Sequence, residues 1–257
     1  MSTVLELQKG VIYGPIASRR LGRSMGINLM PTKYKLCSFN CVYCHYGLTD
    51  KLSHKMGPFI ADLPDFDRVI KEVDDILKSK EEFDYLTFSG NGEPTLYPKF
   101  TELAAEIARL RDHYRPSVKI ALLSNSTGLI HAGVRQAVDR IDMPVFKLDA
   151  GSKEKFKSIN RPAKGIGFEK IVDQLAALGG IVLQTVFLDG TPGNIGDSDI
   201  KTYFEKVKHI KPRAVHIYSI DRPVPNPDIK RVQPGKLKEI ARYGKEKTGV
   251  RVIAFYI

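Results

Sequence analysis

Helix-period and strand-period hydrophobicity alternate along this chain, and no other property restricts its folds as tightly. Phe66, Val69, Ile70, Val73, Ile76 and Leu77 keep helical spacing, and residues 84–89 (DYLTFS) then read as a strand. Phe100, Leu103, Ile107 and Leu110 mark a second helix before a strand over 118–123 (VKIALL). A short helix over 130–138 precedes a strand over 144–149 (PVFKLD). Phe168, Ile171, Val172, Leu175 and Leu178 form a helix face that Gly179 and Gly180 stop. The nearly unbroken apolar run over 181–188 fits a parallel strand covered on both faces. Ile200, Tyr203, Phe204, Val207 and Ile210 give the next helix, ended by Pro212, and 213–219 (RAVHIYS) is a strand. Pro234 opens a last helix that Gly249 closes, and 250–256 is a final strand.

Strands that alternate with helices pair in parallel through helical crossovers. Counting a strand near 24–30, six strand–helix units precede the C-terminal strand. The pattern predicts an α/β fold, a partial TIM-like (β/α)6 barrel; an open doubly wound sheet is the competing architecture. The 257 residues and 42% hydrophobic content suit a single domain. Its expected parts are an N-terminal extension over 1–23, a core over 24–223, and a C-terminal helix and strand over 224–257. In either architecture the chemistry sits at the C-terminal ends of the strands.

Forty Lys and Arg against 29 Asp and Glu leave a formal charge of +11. A basic surface attracts polyanions, which makes RNA a candidate partner; an ordinary basic enzyme is the alternative. Residues 1–9 are too short and too polar for a signal peptide, and no run has the length of a membrane span. A soluble, cytoplasmic protein with no membrane partner is expected.

The three cysteines of the chain fall within eight residues, Cys37-Ser-Phe-Asn-Cys41-Val-Tyr-Cys44. An odd count in one short loop is a poor disulfide framework and a good metal nest. Thiolates are the ligands of iron–sulfur clusters, and a cubane takes one per iron. Three cysteines therefore leave one iron open to a substrate or cofactor. A zinc site with His45 as fourth ligand is one alternative, although zinc motifs usually join two separated ligand pairs. Three buried structural cysteines are another, set against a loop that also carries Lys35 and His45.

Other polar residues fall at the predicted strand ends. Residues 89–94 (SGNGEP) form a Gly-rich turn where backbone can approach a ligand, with the carboxylate of Glu93 at its end. Residues 124–128 (SNSTG) offer hydroxyl and amide groups that either bind a ligand or cap a helix. Lys147 or Asp149 facing a barrel interior would need a ligand or a salt bridge. Gln184 lies inside the fifth strand and Tyr218 near the end of the sixth. Arg19, Arg20 and Arg23 precede the first strand in a segment bent by glycine and proline, read as a loop. Arg161 and Arg222 are likewise read as loop residues after strand ends. Arginine forks suit phosphate or carboxylate, and solvated loop arginines are the bland alternative.

The C-x3-C-x2-C spacing with Tyr43 before the last cysteine resembles the hallmark of the radical S-adenosylmethionine superfamily. That resemblance implies a [4Fe–4S] cluster on Cys37, Cys41 and Cys44 whose fourth iron binds S-adenosylmethionine. It implies reductive cleavage to a 5′-deoxyadenosyl radical, hydrogen abstraction from a substrate, and a low-potential electron donor of flavodoxin or ferredoxin type. Residues 90–94 are similar to the superfamily's G-G-E-P element, which meets the amino group of S-adenosylmethionine. Asn91 stands where the first glycine of that element usually falls, while Gly92, Glu93 and Pro94 match. The resemblance thus makes Gly90, Asn91, Gly92, Glu93, Ser124, Asn125, Asp149 and Tyr43 the candidate cofactor-binding residues.

Four segments, YGPIASRRLGRS, SGNGEPTL, INRP and YSIDRP, run from Tyr13 to Pro223 and look closest to the wyosine-synthase-like group. Those synthases rebuild a guanine in tRNA from pyruvate and carry further cysteines for a second cluster. This chain has none, which implies a short, single-cluster relative with a substrate of its own. RNA, a protein or a small metabolite are the candidate substrates, and a non-catalytic iron–sulfur or zinc protein that binds RNA is the competing class.

Replacing Cys37, Cys41 or Cys44 singly with Ala is expected to abolish iron and sulfide retention after anaerobic reconstitution, whereas His45→Ala retains both. Iron loss in the histidine variant would make His45 a ligand and remove the open iron.

Overall fold

In chain order, the computed structural model runs through β1 (Ile12–Ser18), β2 (Gly22–Asn28), β3 (Leu36–Cys37), β4 (Lys51–Leu52), α1 (Phe66–Lys78), β5 (Tyr85–Ser89) and α2 (Phe100–Tyr114). It continues with β6 (Lys119–Ser124), α3 (Ala132–Ala137), β7 (Met143–Lys147), α4 (Lys153–Asn160), α5 (Phe168–Ala176), β8 (Val182–Val186) and β9 (Leu188–Gly190). Last come α6 (Asp197–Ile210), β10 (Ala214–Tyr218), β11 (Ile229–Arg231), α7 (Pro234–Thr248) and β12 (Arg251–Phe255). The structure describes residues 4–256; positions 1–3 of the expected N-terminal extension and position 257 lie outside them. The described chain divides into one unit of residues 7–38 and 53–145 and another of 4–6, 39–52 and 146–256.

In the first unit the strand order is β1-β2-β5-β6. β2, β5 and β6 run parallel, as alternation with helices requires. Leu86, Phe88, Ile120 and Leu122 of the sheet are fully buried, as are Val69 and Val73 of α1 and Leu103 and Ile107 of α2. Each such side chain contributes roughly 1.5–3 kcal/mol of burial free energy. Asp65 starts α1 because its carboxylate accepts the otherwise unpaired N–H groups of Asp67 (2.9 Å) and Arg68 (3.4 Å).

One expectation is corrected here. The arginine-rich segment before the first strand is not a loop: β1 pairs antiparallel with β2, with Arg19 and Arg20 at the turn. The register shifts between Tyr13 and Ile16, around Gly14 and Pro15, and this interruption hides the strand from a periodicity argument. Arg23 bonds Glu82 at 2.6 Å and Asp84 at 3.3 Å, so its fork is engaged by carboxylates of its own chain.

In the second unit β8, β10 and β12 pair in parallel. All five residues of β8 are buried, as expected of a strand covered on both faces. Gly249 closes α7 in the left-handed conformation at φ 71°. Two features went unforeseen. β9 and β11 form a small antiparallel pair, joined by residues distant in sequence. α4 is short and lysine-rich, with Phe156 and Ile159 as its buried apolar residues, too few to display a helical period. Arg161 is accordingly the left-handed C-cap of α4 (φ 44°), not a loop arginine after a strand. Among the described residues no helix is long and apolar enough to cross a membrane.

The approach of the Gly-rich turn to the cysteine segment is a matter of backbone. Gly92 bridges to Leu36, the residue before Cys37, and a Cβ at Gly92 would lie 1.8 Å from the Leu36 carbonyl oxygen. Neither partner is a flexible side chain that could swing away. Gly92→Ala should destabilise the protein by about 1–3 kcal/mol in urea unfolding, the usual scale of overpacking. Gly179→Ala, where a Cβ meets nothing within 4 Å, should not destabilise it. Equal stability of the two variants would show that the turn can shift away from Leu36.

Candidate functional site

In the first unit the ends of β5 and β6 are tied together by one buried carboxylate. Glu93 is 1% exposed. Its Oε1 accepts the Thr95 N–H at 3.1 Å and the Ser124 hydroxyl at 2.8 Å, and its Oε2 accepts the Asn125 N–H at 2.6 Å. Burial raises the pKa of this carboxyl, opposed by the hydrogen bonds from Thr95, Asn125 and Ser124.

Asn125 turns that anchor toward the cysteine segment. Its Nδ2 donates to Ser38 Oγ at 2.8 Å and to Cys37 Sγ at 3.6 Å. Its Oδ1 accepts the N–H (3.1 Å) and hydroxyl (2.7 Å) of Thr127, whose oxygen also bonds Ser38 Oγ at 2.7 Å. The amide therefore closes its own turn through Thr127 and also faces a cysteine sulfur. Ser124 Oγ likewise accepts the Ser126 N–H at 3.0 Å.

Asn91, the departure from the glycine-rich element, has a structural use. Its Oδ1 accepts the Gln8 N–H at 2.7 Å, and its Nδ2 donates to the carbonyls of Gln8 and Pro31, both at 2.9 Å. No glycine could pin two strand-flanking segments to the turn in this way. Gly90 beside it takes φ 119°, in the left-handed region that glycine adopts without strain.

In the second unit Cys41 and Cys44 lie in a turn closed by Cys44 N–H to Cys41 O at 3.2 Å. The C-terminus of α4 holds this turn. A helix end leaves carbonyls without intrahelical partners. Here Ile159 O accepts the Val42 N–H at 3.0 Å, and the carbonyls of Asn160 and Arg161 accept the Asn40 N–H at 3.0 and 3.1 Å. Asn160 also sends Nδ2 to Cys41 Sγ at 3.5 Å and to Asp149 Oδ2 at 2.7 Å.

Asp149 is a second buried carboxylate hub. It accepts the Tyr43 hydroxyl and, at 2.9 Å, the Val186 N–H. Lys147 Nζ lies 3.8 Å from it and above the Tyr43 ring at 5.1 Å. The choice left open for Lys147 and Asp149 thus includes a salt bridge. Burial opposes the Lys147 charge, but Asp149 and Tyr218 outweigh it and hold the ammonium protonated. Lys147 Nζ (3.3 Å) and Gln184 Nε2 (2.5 Å) both donate to Tyr218 Oη. Burial, then Asp149, pushes the Cys41 thiol up to about 11. His45 Nε2 lies 3.7 Å from an Asp221 carboxylate oxygen.

The donor set suits an iron–sulfur group. Cys37 and Cys41 each face a side-chain amide N–H, the contact that tunes ligating sulfurs, and Asn160 Oδ1 is buried without a hydrogen-bond partner. Among the described residues no three His, Cys, Asp or Glu side chains converge on a single-ion site; a cluster, with one thiolate per iron, does not require that. Sequence reasoning missed Asn160 and Ser38 and named Thr127 only as part of the 124–128 segment. The usable signal for Asn160 was its place before Arg161-Pro162, where a helix must end.

Comparison with known proteins places this geometry in context. The family model described as the radical SAM superfamily matches residues 32–207. A protein of Brachyspira hyodysenteriae named GTPase Obg is 28% identical over 253 residues, covering 97% of this chain; the chain spans only 36% of that protein's length. A UPF0026 protein of Methanocaldococcus jannaschii is 32% identical over 237 residues, covering 90% of this chain and 69% of its own. Among solved structures, TYW1 with a lysine-pyruvate adduct bound has a TM-score of 0.58 at 16% identity, covering 88% of this chain and 75% of its own. That likeness shows the fold: α/β with a parallel sheet, of the partial-barrel kind expected.

Asn160→Ala should destabilise the protein by about 1–3 kcal/mol, because Asp149 stays buried with one donor fewer. After reconstitution with iron and sulfide it should also lower the cluster's reduction potential, since a lost N–H···S contact disfavours the more negative reduced state. An unchanged potential in an EPR-monitored titration would remove Asn160 from the ligand surroundings.

Proposed function

The chain belongs to the radical S-adenosylmethionine superfamily, and from that premise we propose that it uses Cys37, Cys41 and Cys44 as cluster ligands and modifies RNA. It is an enzyme of that superfamily, whose members bind a [4Fe–4S] cluster and S-adenosylmethionine and need a reductant. Within it the chain groups with the UPF0026 proteins. The observation that carries the site assignment is a three-thiol loop with the amides of Asn125 and Asn160 directed at Cys37 and Cys41. A cluster held by Cys37, Cys41 and Cys44 would supply one-electron reduction of the sulfonium of S-adenosylmethionine, with the electron drawn from the external reductant.

The chain's own residues hold and orient. Asn125 and Asn160 aim their amides at two of the thiol ligands. Tyr43, bonded to Asp149, fixes the loop between Cys41 and Cys44. Glu93 keeps Ser124 and the Asn125 backbone in register, and the turn at Gly90, Gly92 and Glu93 is the part of the reading that receives the amino group of S-adenosylmethionine. Asn91 shapes this turn through its side-chain bonds to Gln8 and Pro31 and stays with Gly90, Gly92 and Glu93 among the candidate cofactor-binding residues. Ser124 and Asn125 remain our candidates for its ribose or carboxylate. A flavodoxin- or ferredoxin-type donor and a cytoplasmic location complete the reading. RNA as substrate rests on the +11 charge, since polyanion binding follows from a basic surface.

The reconstituted protein, given dithionite and S-adenosylmethionine, should release 5′-deoxyadenosine. A colourless protein with stoichiometric zinc and no 5′-deoxyadenosine would sink the enzyme assignment. Glu93→Gln should keep its iron but weaken S-adenosylmethionine binding by about tenfold, the scale of one lost charge-assisted contact. For the substrate, nucleosides from tRNA of a deletion strain should lack a modification present in the parent; identical nucleoside profiles, with a changed peptide or metabolite instead, would replace RNA by that class.

A further inference from the structure

The net charge is not spread evenly. Between Ile229 and Tyr256 the chain has eight lysines and arginines against two glutamates, so +6 of the total +11 falls in its last ninth or so. α7 carries the densest part. Lys238, Arg242 and Lys245 follow i, i+4, i+7 spacing, which puts them on one face. All three are exposed, while Leu237, Ile240 and Gly244 of the same helix are buried.

Folding alone does not account for this stripe. Lys238 and Arg242, four residues apart, repel; Glu239 and Glu246, three before and four after Arg242, offset part of this, and Lys238 and Lys245 have no acidic residue four positions away. Cations are favoured near a helix C-terminus, which covers Lys245 and Lys247, but Lys236 and Lys238 lie close to the N-terminal Pro234, where the dipole disfavours them. Glu239 offsets Lys236 at 3.6 Å. Beside the stripe, Lys238 Nζ sits 5.1 Å from the ring centre of Tyr256, an aromatic that is 42% exposed.

We propose that Lys238, Arg242 and Lys245 of α7, with Tyr256, form the surface on which the RNA backbone docks. The proposal rests on RNA being the substrate. Cations in a row with an exposed ring suit a single-stranded segment, whose phosphates meet the charges while a base stacks on the ring. A membrane surface fits less well. Interfacial helices turn an apolar face outward, whereas Leu237 and Ile240 are turned into the protein.

Filter binding of unfractionated tRNA to the full reconstituted chain, across a salt series, tests it. Wild type should bind with a steep salt dependence. The variant Lys238→Gln/Arg242→Gln/Lys245→Gln should bind at least tenfold more weakly at low salt, with the log–log slope flatter by about 2, near 0.7–0.9 per lost phosphate contact. Tyr256→Ala should weaken binding by roughly fivefold or more. An equal-charge control, Lys71→Gln/Lys80→Gln/Lys119→Gln, alters exposed lysines elsewhere and should bind as wild type does. Circular dichroism and S-adenosylmethionine cleavage should be unchanged in all of them.

Tight tRNA binding lost equally in both triple variants, or in neither, would overturn the α7 surface while leaving the RNA reading intact. Absent or salt-independent binding by wild type would overturn the RNA reading itself. Wild-type binding to phosphatidylserine-containing vesicles or to polyglutamate in place of tRNA, lost in the α7 variant, would assign the stripe to a membrane or an acidic protein and overturn its assignment to RNA.

Discussion

A carboxylate withdrawn from water must find its hydrogen bonds inside the protein, and this chain meets that demand twice. Glu93 gathers donors from Thr95, Ser124 and Asn125; Asp149 gathers them from Tyr43, Asn160 and Val186. The donors come from the last residues of β6, α4 and β8 and from the turns beside strand ends. A buried charge left with too few partners is costly, so the loops are held in place by the carboxylate's own requirement. From each hub one asparagine reaches a cysteine: Asn125 to Cys37, Asn160 to Cys41.

Backbone proximity is the second constraint. The turn at residues 90–93 reaches the cysteine segment because Gly92 has no Cβ to strike Leu36 O. Helix α4 reaches it because its terminal carbonyls need donors, and the N–H groups of Asn40 and Val42 supply them. The cysteine loop thus has little regular structure of its own and takes its shape from neighbours.

Much of the fold was legible in one dimension. The helices at 66–78, 100–114 and 234–248 and the strands of the parallel sheet follow from apolar spacing, because a helix or strand with one buried face must repeat at its own period. β1, α4 and the β9–β11 pair were not legible. β1 is interrupted at Gly14-Pro15, α4 has too few buried residues, and β9 and β11 are defined by pairing partners about 40 residues apart. Arg23 and Arg161, grouped with the anion-binding candidates, were given other duties by residues the local sequence does not contain: Glu82 and Asp84 for one, the helix end for the other.

The sequence by itself determined which candidate ligands stand together, since three thiols at fixed spacing in one loop are a covalent fact that folding cannot change. It also determined the strand–helix alternation and the basic charge. Tertiary structure alone decided which polar groups surround the thiols. Asn160 and Cys41 are 119 positions apart, and Asn125 and Cys37 are 88 apart. Contacts at such separation depend on strand order and helix termination, and no local residue pattern encodes them. The same holds for the basic stripe of α7: its spacing can be read from the chain, but its exposure follows from which face Leu237 and Ile240 bury.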